Sequence, residues 1–154
     1  MSTPLTVDGV DGVKNLVGTE LGPTDWVEIT QEMVNLFADA TSDHQWIHVD
    51  VDRAKRESPF GGPIAHGYLT LSLVPRFLPQ LVRYTGFSMG VNYGTEKVRF
   101  PSPVPVGSKL RASTVVDEVT DVPGGIQVRQ TVTFEVDGSA KPACVATLVV
   151  RQYV

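Results

Sequence analysis

The chain has 154 residues, 42% hydrophobic and 19% charged, which suits one globular domain with a packed core and excludes a disordered chain. Its net charge of −4 is uneven: residues 1–52 hold ten acids against Lys14 alone, whereas Arg76, Arg83, Lys97, Arg99, Lys109 and Arg111 face only Glu96 across 76–111. The acidic first third repels phosphate backbones, and no stretch reads as a secretory signal or bilayer span, so neither nucleic acid nor membrane is expected as a partner.

Residues 1–12 are small, polar and Gly-rich, and are expected to be a loose lead-in to a single domain spanning 1–154. "DWVEIT" (25–30) reads as a short strand. Thr30 is a good N-cap, Glu32 favours a first turn, and "QEMVNLFADAT" follows as an amphipathic helix with Met33, Phe37 and Ala40 on one face. That helix should stop near Thr41 or Ser42. A long irregular excursion comes next, punctuated by Pro59, Gly61, Gly62 and Pro63, with a helical turn expected over 53–57. "IAHGYLTLSLVPRFLPQLV" (64–82) is apolar around nearly its whole circumference and so reads as a buried helix, kinked or cut short at Pro75 and Pro79.

Strand character dominates after residue 87. "FSMGVNYGTEKVRF" suggests two short strands and "SKLRASTVVDEVTDV" a longer one. "IQVRQTVTFEVDG" alternates, with Ile126, Val128, Val132, Phe134 and Val136 on one face. Gly124-Gly125 and Asp137-Gly138 mark turns, and "ACVATLVVRQYV" closes the chain, carrying the lone Cys144 as a buried strand residue. An unpaired cysteine suits a reducing, cytoplasmic setting. Helices early and antiparallel strands late give an α+β fold with a long sheet packed on a buried helix.

The chemistry concentrates in "DATSDHQWIHVDVD" (39–52). On a continuous helix Asp43 and His48 would diverge, so they meet only if the chain leaves the helix near Asp43 and curls back. A carboxylate and an imidazole sharing one water can take a proton from it and return one elsewhere, and Trp46 and Ile47 would keep that water's surroundings dry. The plainer alternative makes Asp43 a turn residue and His48 a satisfied histidine. His44, His48 and His66 could together hold zinc, but His44 and His48 would need a helix where the sequence disfavours one, and there is no HExxH pattern. No metal is expected. In "PIAHGYLTL" a helix should begin near Ala65–Gly67, and the unobstructed N–H of Gly67 is either an oxyanion-hole donor or a glycine needed for close packing.

Three blocks in order, "FADATSDHQWIHVD", "GGPIAHGYLTLSLVP" and "KVRFPSPVPVGSKL", resemble the MaoC-like, (R)-specific enoyl-CoA hydratase group of hot-dog-fold proteins over about residues 25–152. The "DHQWIH" core is similar to the NodN-like subgroup. The resemblance implies a hot-dog fold, a long central helix wrapped by an antiparallel sheet, and a homodimer. It implies syn hydration of a trans-2-enoyl-CoA to a (3R)-hydroxyacyl-CoA, and the reverse, with coenzyme A as part of the substrate and no further cofactor. Asp43 and His48 match the family's catalytic pair, and Gly67 the glycine whose N–H binds the thioester oxygen. Gln45, Trp46, His66, Tyr68, Asn92 and Arg99 form the expected substrate-binding set, His66 orienting the turn rather than reacting.

Against the family's usual pattern Ser42 stands in place of Gly, Gln45 of Asn and Trp46 of Pro, and Pro75 takes the position of a supporting serine. The rival readings are a non-catalytic acyl-CoA binder of the same fold and a hot-dog thioesterase. The latter wants a carboxylate on the central helix, where "HGYLTLSLVP" has none.

Overall fold

The computed structural model describes residues 3–154. Its frame is a six-stranded antiparallel sheet built mainly from four strands: β5 (Met89–Arg99), β6 (Lys109–Val122), β7 (Gly125–Val136) and β8 (Cys144–Tyr153). Their order is β6-β7-β8-β5, and β2 (Glu20–Leu21) and β3 (Val27–Glu28) both pair with the far edge of β6. The hydrophobic alternation in β7 dictates this layer: every second residue from Ile126 to Val136 is buried on the concave face. Pro123-Gly124 joins β6 to β7, and Gly124 takes φ +82°, the left-handed position such a turn requires.

The helical layer fills the concavity. Thr30 caps α2 (Gln31–Thr41), its Oγ1 accepting the Met33 N–H at 3.2 Å. Val34 and Ala38 are the fully buried positions of α2. Met33 and Phe37 are half-buried as expected, but Ala40 faces solvent because the buried stripe runs one residue earlier. Two short helices follow, α3 (Trp46–Val49) and α4 (Val51–Glu57), the second capped by Asp50, whose carboxylate accepts the Arg53 N–H.

The central helix is shorter than the resemblance implies. It runs as α5 (Gly67–Ser72), α6 (Val74–Phe77) and a 3-10 turn (Leu78–Gln80). Pro75 and Pro79 explain the breaks, since neither offers an N–H to continue the ladder. Phe77 still anchors the core, edge-on to Phe134 with ring centroids 5.8 Å apart.

Two sequence expectations are corrected. The supposed lead-in is structured: β1 (Leu5–Asp8) pairs in parallel with β4 (Val82–Thr85), and α1 (Gly9–Asn15) follows. Val7, Val13 and Leu16 are buried there against Val116, Ile126 and Val128, with Val10 partly buried beside them, so apolar residues at three-residue spacing outweigh the glycines. The two short strands expected over 87–100 are one strand, β5, whose register slips between Asn92 and Gly94 and again between Thr95 and Lys97. Those bulges interrupt the alternation that would have marked it as continuous. Among the described residues no helix is long and apolar enough to cross a membrane.

Candidate active site

The exit from α2 sets the site. Ser42 takes the left-handed conformation (φ 62°) and turns the chain off the helix axis at Asp43. The Asp43 carboxylate then accepts the Gln45 N–H at 3.4 Å, an Asx-type turn that starts α3 and swings His48 back beneath the loop. His48 is buried at 7% exposure, whereas the Asp43 side chain remains 53% exposed, so the pair has one wet side and one dry side.

The ring of His48 is fixed by what it touches. Its Nδ1 lies 2.7 Å from the Ile64 carbonyl, which can only accept, so Nδ1 carries the proton. Nε2 of the neutral ring is therefore the free lone pair, the state of a general base. Burial pushes the His48 pKa below 6.5, and the neighbouring His66 adds to the shift. The Ile64 hydrogen bond and the Asp43 carboxylate pull the other way without reversing it. The ring is neutral and basic at physiological pH.

His66 is the residue whose importance the sequence underrates. It is 3% exposed and stacks on His48 with ring centroids 3.9 Å apart. Its Nε2–H donates to the Asp43 carbonyl at 3.0 Å, and Phe37 tilts against its other side. One side chain thus binds the Asp43 loop to the residue preceding Gly67. His66 Nδ1 is buried, and among the described residues it has no hydrogen-bond partner. Donor atoms of Asp43, His48 and His66 lie within 4.8 Å of one another, a set that could also accept a divalent ion. His44 is no part of it: it is exposed and pairs with Asp39 at 2.9 Å.

Gly67 opens α5, and among the described residues its N–H has no acceptor, as expected in a first helical turn. It lines a cavity of about 310 Å³ with Phe60, Ile64, Thr70 and Phe100. An ideal Cβ there would stand 3.2 Å from the Phe100 ring, so close packing also favours glycine.

The expected substrate-binding residues divide. His66 joins the pair, and Tyr68 sits beside the Gly67 cavity, 71% exposed and edge-on to Phe100. Gln45 caps α3 on the exposed side. Trp46 lies under the Arg53 guanidinium at 4.3 Å, and Phe37 tilts against the His66 ring. Asn92 lines a different cavity, of about 700 Å³, against α5 and α6. Arg99 lies exposed at the end of β5, and among the described residues its side chain donates only to the Val98 carbonyl. Gln31, which the sequence did not single out, donates to the His48 carbonyl at 2.8 Å and steadies α3 from behind.

A long sheet curled round a broken helix, with an acid–histidine pair beside a helix N-terminus, defines a hot-dog hydro-lyase. The chain belongs to the MaoC-like dehydratase family, whose domain matches residues 13–137. It is 52% identical over 147 residues to 3-hydroxyacyl-thioester dehydratase Z of Mycobacterium tuberculosis, covering 95% of this chain and 97% of that one. It is 46% identical over 143 residues to Nodulation protein N of Rhizobium meliloti, covering 87% and 84%. An unliganded R-hydratase from Pseudomonas aeruginosa shares the fold with a TM-score of 0.71 and 23% identity, over 89% of this chain and 81% of that one.

Proposed function

We propose that the protein is an (R)-specific enoyl-CoA hydratase, adding water syn to a trans-2-enoyl-CoA to give a (3R)-hydroxyacyl-CoA and catalysing the reverse reaction. The observation carrying this reading is the convergence of Asp43 and His48, with the His48 proton held on Nδ1 by the Ile64 carbonyl. Asp43 and His48 each bring a ligand atom within 4.8 Å of the other's, a gap that one water making two hydrogen bonds of about 2.8 Å would span. Asp43 holds that water and His48 Nε2 takes one of its protons as the oxygen attacks C3. The same proton is delivered to C2 from the same face, which makes the addition syn. The Gly67 N–H, free and at a helix N-terminus, stabilises the negative charge that grows on the thioester oxygen. His66 is a positioning residue: its stack and its hydrogen bond hold the Asp43 loop, His48 and the α5 N-terminus in one unit. Neither a metal nor a separate cofactor is part of this chemistry.

A homodimer in the cytoplasm belongs to the same reading. β5 forms the sheet edge and is exposed along nearly its whole length, with Met89, Val91 and Tyr93 open to solvent, the kind of edge a second copy covers. The test is crotonyl-CoA. Loss of the enoyl-thioester absorbance without free thiol supports the hydratase. Thiol release identifies a thioesterase, and neither signal across short and long chains leaves a binder. Asp43→Asn and His48→Gln should each lower hydration about 10²–10⁴-fold, and near-normal turnover in either variant removes that residue from the mechanism.

A further inference from the structure

The concave face of the sheet carries two hydrophobic clusters. One contains Val132, Phe134 and Val136 of β7; the other contains Ile126 and Val128. Between them, on the same inward row of β7, stands Gln130. It is only 6% exposed, its Oε1 has no partner, and among the described residues its side chain makes no hydrogen bond. A buried amide oxygen left unpaired is costly and rare in folded proteins. Nothing in the packing demands it, because an aliphatic residue would merge the two clusters.

Gln130 is part of the wall of the 700 Å³ cavity. The register explains the lining. Gln130 lies opposite Leu148, which lies opposite Thr95; on the next rung Val128 is opposite Val150, and Val150 opposite Asn92. Leu71, Val74 and Leu78 form the opposite, apolar wall, and among the described residues no Asp, Glu, Lys, Arg or His lines the cavity. The cavity starts at Leu71, about 6 Å along α5 from Gly67 at 1.5 Å per residue. The two cavities share no lining residue, so an acyl chain whose thioester rests at Gly67 would have to run along α5 to Leu71 to place its carbons beyond C2–C3 in this second cavity. Without a charged partner in the lining, the coenzyme A phosphates and a terminal carboxylate are disfavoured as occupants.

Resting on the hydratase reading above, we infer that this cavity is a subsite for an acyl tail bearing a neutral oxygen, a hydroxyl or keto group several carbons from the thioester, hydrogen-bonded to Gln130. An amide can both donate and accept, so it suits either group, and Asn92 and Thr95 extend the polar strip toward the β5 edge. A site built around a buried hydrogen-bonding group discriminates against the chain lacking its partner, because the amide is then left desolvated and unpaired.

The test compares trans-2-decenoyl-CoA with its mid-chain and ω-hydroxy derivatives. At least one hydroxylated chain should exceed the plain chain in kcat/KM by about tenfold. Gln130→Leu should bring that ratio to one or below, with a melting temperature equal to or above that of the parent. Gln130→Met serves as a second variant if the branched side chain misfits. A plain chain preferred by the parent protein, or a ratio unchanged by both substitutions, overturns the subsite. A binding arm keeps the two readings apart: dissociation constants for decanoyl-CoA and its hydroxylated forms need no turnover. An inactive Asp43–His48 pair with intact discrimination in binding contradicts only the reaction, whereas crotonyl-CoA turnover without discrimination contradicts only the subsite.

Discussion

Replacing Gly67 with alanine separates the two uses of that residue. The backbone of Gly67 is not in the left-handed region, so alanine is conformationally allowed and brings a helix-propensity gain of up to about 1 kcal/mol. Against this, the new methyl meets Phe100 Cγ, Cδ1 and Cε1 at 3.2 Å, closer than ordinary van der Waals contact. Overpacking of this kind costs about 1–3 kcal/mol, at the lower end here because Phe100 is 41% exposed and can swing outward. The net loss is at most about 1 kcal/mol, a melt lowered by no more than roughly 2–4 °C. Catalysis should suffer much more. The N–H survives, but the methyl stands beside it, at the 310 Å³ cavity where the thioester oxygen would rest. The expected fall in kcat/KM for crotonyl-CoA is about 10²–10³-fold, comparable to losing an oxyanion-hole donor. Adding Phe100→Leu should restore the melt without restoring the rate, a coupling that a double-mutant cycle measures. A Gly67→Ala protein that hydrates crotonyl-CoA at the parent rate would mean that the thioester oxygen does not rest on this amide.

Other perturbations test neighbouring parts of the structure. Because burial lowers the His48 pKa from 6.5, the acid limb of the kcat/KM profile should lie below pH 6.5. The unfolded chain protonates this ring near 6.5 and the folded protein only at lower pH, so the stability it contributes is complete above about 6.5 and is lost as pH falls through the folded-state value; chemical denaturation at stepped pH reads this directly. Ser42→Gly should relieve the left-handed strain at the end of α2, partly offset by a more flexible unfolded chain, for a gain within about 1 kcal/mol in a urea midpoint; a loss would show that the Ser42 side chain supports the turn. Thr30→Ala removes the N-cap bond to Met33 and should cost about 1 kcal/mol. Burial pushes the Cys144 thiol up to about 11, so thiol reagents should label it only as the protein unfolds; rapid labelling of the native protein would contradict its burial in β8.

Much of this architecture follows from neighbours along the chain. The alternation from Ile126 to Val136, the Thr30 cap, the breaks at Pro75 and Pro79 and the turn-forming chemistry after Thr41 are local consequences of side-chain volume, hydrogen bonding and φ preference. The face expected from Ile126, Val128, Val132, Phe134 and Val136 even contained the signal for the second cavity, since the inward position it skips is Gln130. Local signals failed where long-range pairing decides. Leu5 pairs with Val82, which turns a Gly-rich start into a strand, and the bulges in β5 are set against β8 and hide its continuity.

The sequence by itself determined which residues can perform acid–base chemistry and that the chain must leave its helix at Asp43 for them to meet. Only the tertiary structure decided that His66, distant in the chain, donates to the Asp43 carbonyl and stacks on His48, and that Ile64 holds the proton on Nδ1. The physical reason is that capping, turns and periodicity depend on adjacent residues. Which lone pair is free, and which buried amide lacks a partner, depends on groups that only the folded core brings together.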